Sequence, residues 1–219
     1  MRILIVAATD PEVAPVLERM YSTPSGDPCV DTYTHGAHEI AVLITGVGMV
    51  ATAAWCSRAL TQTAYDLALN FGVCGSFDPF IEPGTVVHVI SDRLSELGAE
   101  DGTGFLTLDE LQLPGEAVFV NLDPPSNPGL EQLPPVIGIT VNTVHGDERS
   151  IALIVDRFNP QVESMEGAAF MSACLIHKVP FAQVRAVSNL VERRNRESWR
   201  IADAIRNLSV AALRIINHA

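Results

Sequence analysis

The stretch Arg2-Ile3-Leu4-Ile5-Val6-Ala7-Ala8-Thr9-Asp10-Pro11-Glu12 decides the fold class. Arg2–Ala8 runs apolar and partly β-branched without alternation, the mark of a strand covered on both faces. Thr9 or Asp10 can then cap a helix that begins near Pro11, because proline suits the first helical turn. Val13, Val16, Leu17 and Met20 give that helix one apolar face. A buried strand feeding an amphipathic helix opens an α/β protein.

The same rhythm recurs along the chain. Cys29–Thr34 and Glu39–Thr45 read as two strands around the turn His35-Gly36-Ala37-His38, and Gly46-Val47-Gly48 opens an Ala-rich helix to about Leu60. Leu67–Gly72 reads as a buried strand ending in a turn at Gly75, followed by a strand over Thr85–Arg93. Further on come a strand at Val136–Val144, a helix near Glu148–Phe158, and Val162–Ser164 leading into a helix over Glu166–His177. A strand at Pro180–Ser188 and an amphipathic helix over about Ser198–Asn217 complete the pattern. Alternation of this kind predicts a three-layer α/β/α domain around a central, mostly parallel mixed sheet. Residues 1–219 are expected to form a single domain with an irregular excursion at about 95–135, over the active site or at a subunit contact. That excursion holds six of the 14 prolines, and its apolar residues are too sparse for a core of their own.

Composition narrows the function. With 219 residues, 47% apolar and 18% charged, the chain is too apolar and too weakly charged for disorder. A domain this size buries about 70% of its unfolded surface, enough for a closed core and a pocket. The balance of 14 basic against 26 acidic residues, net −12, argues against nucleic acid or an anionic membrane as a partner. It leaves room for a nucleoside, which carries no phosphate. Asp10 and Pro11 cut the Ile3–Ala8 run far short of the ~20 residues a membrane span needs, and the features of a signal peptide are missing. Cys29, Cys56, Cys74 and Cys174 form no C-x-x-C pair, and the histidines show no ligand spacing, so neither a metal nor another cofactor is expected. Cys74 and Cys174, in apolar runs, should be buried free thiols of a reduced, cytoplasmic protein.

In α/β folds ligands gather at the carboxyl ends of strands. Thr9–Glu12, Gly46–Gly48, Gly72–Ser76 and Ser188–Glu192 fall at such ends, and Glu163–Gly167 lies where a strand feeds a helix. Each alone could be a cap or a turn; the five together point to one composite pocket. The first strand-to-helix turn has no glycine, and neither G-x-G-x-x-G nor a P-loop occurs, which excludes a nicotinamide enzyme.

Val162-Glu163-Ser164-Met165-Glu166-Gly167-Ala168-Ala169 resembles the Met-Glu ribose-binding signature of the purine nucleoside phosphorylase and nucleosidase superfamily. Thr45–Gly48, Asn70–Gly75 and Phe181–Asn189 follow in that family's order. Within it, Arg185–Arg196 with Trp199 is similar to the futalosine hydrolases, which remove hypoxanthine from futalosine in the alternative menaquinone pathway.

The resemblance implies a nucleoside phosphorylase-like fold, a nucleoside substrate and a pairing of subunits into a homo-oligomer. Glu166 would take the 2′- and 3′-hydroxyls and stabilise the positive charge that develops at C1′. Met165 offers a polarizable thioether to the ribose face, and Val47 would line its 5′ side. Gly72, Val73 and Ser188 belong to the same pocket; Val73 stands where the methylthioadenosine nucleosidases carry a serine. Glu12 sits where phosphorylases of the superfamily bind phosphate, yet Thr9-Asp10-Pro11-Glu12 offers neither base nor glycine. A carboxylate there repels phosphate and can orient or deprotonate water, so hydrolysis is expected over phosphorolysis. Arg185 would hydrogen-bond near that water and Glu12. Asn189 replaces the nucleosidases' base-binding aspartate; its NH₂ can donate to O6 and its oxygen accept from a ring N–H, which favours a 6-oxopurine. Arg193, Arg194 and Arg196 form the densest positive cluster, and Arg194 and Arg196 are candidates to grip the benzoate of futalosine. The alternatives are a nucleosidase or phosphorylase for another purine nucleoside (inosine, methylthioadenosine, aminodeoxyfutalosine), or a nucleoside-binding relative without catalysis.

Overall fold

A computed structural model describes residues 1–219. β1 (Arg2–Ala7) has every residue after Arg2 buried. Its side chains alternate between two cores: Ile3, Ile5 and Ala7 pack into one, Leu4 and Val6 into the other. α1 (Asp10–Leu17) is capped by Thr9 and carries its apolar face into the first core. β2 (Tyr21–Thr23), β3 (Asp31–His35) and β4 (His38–Ile44) form an antiparallel meander whose last strand runs parallel to β1. β2 was not foreseen; three exposed or half-buried residues carry no apolar signal.

α2 (Met49–Gln62) leads to β5 (Leu67–Ser76), parallel to β1 on its other side. Then come β6 (Val86–Leu94), β7 (Gly98–Asp101), β8 (Gly104–Thr107), β9 (Val118–Val120) and α3 (Pro128–Glu131). β10 (Pro135–Thr140), α4 (Glu148–Phe158), β11 (Val162–Ser164), α5 (Gly167–His177), β12 (Phe181–Leu190) and α6 (Ile201–Asn217) complete the chain. The main sheet runs β11-β10-β6-β12-β5-β1-β4-β3-β2, with β9 beside β6. α1 and α6 cover one face; α2 and α5 cover the other. This is a mixed sheet between two helical layers, the expected α/β class, with antiparallel pairings as numerous as parallel ones. No helix is long and apolar enough to cross a membrane.

Two strands outrun their expected ends. β5 continues through Gly75, because β11 turns back against it with Val162 opposite Ser76 and Glu163 opposite Gly75. The expected turn at Gly75 is therefore strand, and the glycine serves close approach: an added β-carbon would stand 2.9 Å from Val191 Cγ2. β12 passes a register shift between Val187 and Asn189 and runs to Leu190. Through β11, strands β5, β12, β6 and β10 close into a ring at one end of the sheet.

The 95–135 segment is more ordered than expected. β7 and β8 form a hairpin that sets Phe105 edge-on to Phe158 of α4, at 6.2 Å, with Arg157 over the Phe105 ring. β9 adds to the main sheet beside β6. Only Glu96 of this segment borders the cavity described next.

Candidate active site

Glu12 comes from the first turn of α1. Its Oε2 accepts from the Thr9 backbone N–H at 2.8 Å and from Thr9 Oγ1 at 3.0 Å, closing a capping box. Its Oε1 accepts from the Val73 N–H at 3.1 Å, so the carboxylate joins α1 to the middle of β5 while buried to 7% exposure. The capping role and a catalytic role coexist, since Oε1, with the Val73 N–H as its one partner, keeps a lone pair free.

Glu166 precedes α5 and does not cap it. Its Oε1 accepts from the Gly48 N–H at 3.0 Å, and its Oε2 lies 3.6 Å from Arg185 Nη1. Gly46 and Gly48 have φ of 79° and 105°, which is why that loop needs glycine. Val47 between them is 58% exposed at the mouth of the site, and Met165 beside Glu166 is half-buried.

Arg185, on β12, is 1% exposed and is the pivot of the cluster. Its Nη2 donates to Asn70 Oδ1 at 2.5 Å, and Asn70 Nδ2 in turn donates to the Val6 carbonyl at 3.0 Å. Asn70 and Glu166 are thus its direct partners, and Glu12, held by Thr9 and Val73, stands nearby across Gly72 from Nη1. Gly72 makes the cluster possible. A β-carbon there would overlap Arg185 Nη1 and stand 3.0 Å from Glu12 Oε1.

Beneath Arg185 lies Asp92 of β6, which accepts from Thr140 Oγ1 and Gln183 Nε2 at 2.9 Å each. Burial pushes its carboxyl up to about 6 despite those hydrogen bonds and the nearby guanidinium. Thr140 Oγ1 also accepts from the Ala168 N–H at 2.7 Å, so this buried acid helps fix the start of α5 and with it Glu166. Asn70, Asp92 and Gln183 were not singled out in the sequence; their signal is a polar residue inside a buried strand, which requires a partner.

The second half of the site is a cavity of about 560 Å³ lined by Asn189, Arg194, Trp199, Glu163, His145 and Gly75, among others. Ser188 Oγ lies 2.8 Å from Asn189 Oδ1 and 3.1 Å from the Cys74 carbonyl, and Asn189 Nδ2 donates to the Leu190 carbonyl at 2.8 Å. Each end of the Asn189 amide keeps one free hydrogen-bonding position. Arg194 lies 4.9 Å from the Trp199 ring; Arg196 lies 5.9 Å from that ring but does not line the cavity. Glu163, from a segment expected at the pocket, and His145, which was not foreseen, are tied by a 2.7 Å contact between Glu163 Oε2 and His145 Nδ1.

The carboxylates of Glu12 and Glu166 around one guanidinium make a negative, water-poor end suited to a sugar that gains positive charge. The neighbouring cavity with its free amide positions suits a flat polar ring. Residues 2–218 match the family model described as the phosphorylase superfamily. A curated futalosine hydrolase of Streptomyces coelicolor is 34% identical over 78% of this chain and 75% of its own length. That of Thermus thermophilus is 31% identical over 80% of each. The solved native futalosine hydrolase of Helicobacter pylori superposes with a TM-score of 0.83 over 100% of this chain and 98% of its own, at 16% identity, a likeness of fold.

Proposed function

This chain belongs to the phosphorylase superfamily and to its futalosine hydrolases, and from that premise we propose that it hydrolyses the N-glycosidic bond of futalosine. Hypoxanthine leaves and dehypoxanthine futalosine remains, a step of the alternative menaquinone pathway. The observation that carries this reading is the pairing of Glu12 with Glu166 across Arg185 and Gly72, beside the cavity that holds Asn189.

Glu166 binds the ribose hydroxyls through the lone pairs that Gly48 and Arg185 leave free, with Met165 and Val47 against the sugar. Glu12 takes a proton from water as the water attacks C1′. Two buried carboxylates and one already committed arginine offer nothing to a phosphate dianion, which supports hydrolysis over phosphorolysis. Asn189, steadied by Ser188, donates to O6 and accepts from the ring N–H of hypoxanthine. Arg194, backed by Trp199, faces the benzoate end, with Arg196 farther out. The enzyme works in the cytoplasm as a homo-oligomer, without metal or cofactor.

A panel of futalosine, inosine, methylthioadenosine and aminodeoxyfutalosine tests the substrate. Release of free base should be fastest from futalosine by at least tenfold in kcat/KM. Faster release from inosine or methylthioadenosine would reassign the enzyme, and binding without turnover would make it a nucleoside-binding protein.

A further inference from the structure

The reaction as drawn lacks a proton for the departing base, since the amide of Asn189 cannot give one up. We infer that His145, held by Glu163, is the group that donates a proton to N7 of the departing purine. This rests on the reading of the site as a nucleoside hydrolase.

Glu163 is a carboxylate in the buried strand β11, 4% exposed, and it spends both oxygens on one residue. Oε1 accepts from the His145 backbone N–H at 3.0 Å, and Oε2 lies 2.7 Å from His145 Nδ1. The grip fixes the ring with its Nδ1 proton toward the carboxylate and leaves Nε2 as its other polar atom. Phe77 meets the ring edge-on at 6.0 Å, closing another side. Both residues line the cavity that contains Asn189. Glu163 is close to Asn189: Glu163 Cγ and Asn189 Nδ2 lie 3.6 and 3.4 Å from the point where a Gly75 β-carbon would stand. A purine bound by Asn189 therefore shares this cavity with the imidazole.

Glu163 from β11, Glu96 beyond β6, Asp147 from the histidine's own loop and Glu192 beyond β12 border the same cavity, against Arg194 as the one guanidinium there. In the step, the C1′–N9 bond breaks and its electron pair goes to the base while N7 receives the proton from His145 Nε2. Water forms the new bond to C1′, and its proton goes to Glu12. Imidazolium becomes imidazole as carboxylate becomes carboxylic acid, so charge balances, and solvent exchange resets both groups. Glu163 is the positioning residue of this pair.

The experiment compares the full-length wild type, His145→Gln and Glu163→Gln on futalosine and on futalosine methylated at N7, whose base leaves without a proton. His145→Gln should lower kcat on futalosine by about 10²-fold, within the range for a lost general acid. It should cleave the methylated substrate within threefold of the wild-type rate. The wild-type kcat/KM should fall on the alkaline side; that limb should vanish in His145→Gln and move to lower pH in Glu163→Gln. An equal loss on both substrates, an unchanged rate on futalosine, or an alkaline limb that survives in His145→Gln overturns the assignment. Failure of the wild type to cleave futalosine would instead overturn the parent reading, and this inference with it.

Discussion

Replacing Gly72 by alanine adds one methyl group at the most crowded point of the active site. The new β-carbon would overlap Arg185 Nη1 and lie 3.0 Å from Glu12 Oε1. Arg185 has little freedom to yield: it is 1% exposed, bonded to Asn70 at 2.5 Å and set 3.6 Å from Glu166. Crowding of this kind costs about 1–3 kcal/mol, and a broken hydrogen bond to a charged group adds about 1.5–3 kcal/mol. The expected destabilisation is thus about 3–5 kcal/mol, a large part of the ~5–15 kcal/mol of a typical domain. A shift of about 1 Å in Glu12 or Glu166 should also lower kcat/KM by about 10²-fold in the fraction that stays folded. Urea unfolding and futalosine kinetics well below the Tm measure the two effects separately. Gly26→Ala is the control, because a β-carbon there meets nothing within 4 Å. Wild-type stability and rate in Gly72→Ala would refute the packing of this cluster around a missing side chain.

Three further outcomes follow from the same geometry. Glu12→Gln should keep the fold, since a capping box accepts glutamine there, while kcat falls by about 10²–10⁴-fold; undiminished turnover removes Glu12 from the chemistry. Asn189→Asp should move selectivity from futalosine toward aminodeoxyfutalosine. The new carboxyl oxygen can no longer donate to O6 as the amide NH₂ does, but it can accept from a 6-amino group. An unchanged kcat/KM ratio would leave Asn189 a turn residue. Asp92, with its carboxyl raised to about 6, binds a proton more tightly in the folded chain than in the unfolded one. Its contribution is therefore present at low pH and lost as pH rises through about 6, roughly 1 kcal/mol between pH 5 and pH 7. Asp92→Asn should remove that part of the slope in urea titrations, and an identical slope in both proteins would contradict it.

Local pattern made part of this molecule legible. The apolar run of β1, the proline at the start of α1 and the periodicity of α6 are short-range signals, and each element stands where it was expected within a few residues. Glu12, Glu166 and Arg185 were reached through the family resemblance, and the structure brings all three together. What the sequence hid depends on distant partners. The extension of β5 through Gly75 exists only because β11 pairs with it antiparallel, and the β7–β8 hairpin leans on α4 through Phe105 and Phe158. The union of His145 with Glu163 spans the end of β10 and the start of β11; its one local sign was an acid inside the buried run Val162-Glu163-Ser164.

The central claim is that water, held by Glu12, attacks C1′ of futalosine in a site that rejects phosphate. The direct measurement is turnover of futalosine in ¹⁸O-labelled water with saturating phosphate, read by mass spectrometry of the sugar product. The account predicts one labelled oxygen at C1′, free hypoxanthine in equal amount and a rate indifferent to phosphate. A sugar 1-phosphate, or a rate that rises with phosphate, would contradict it.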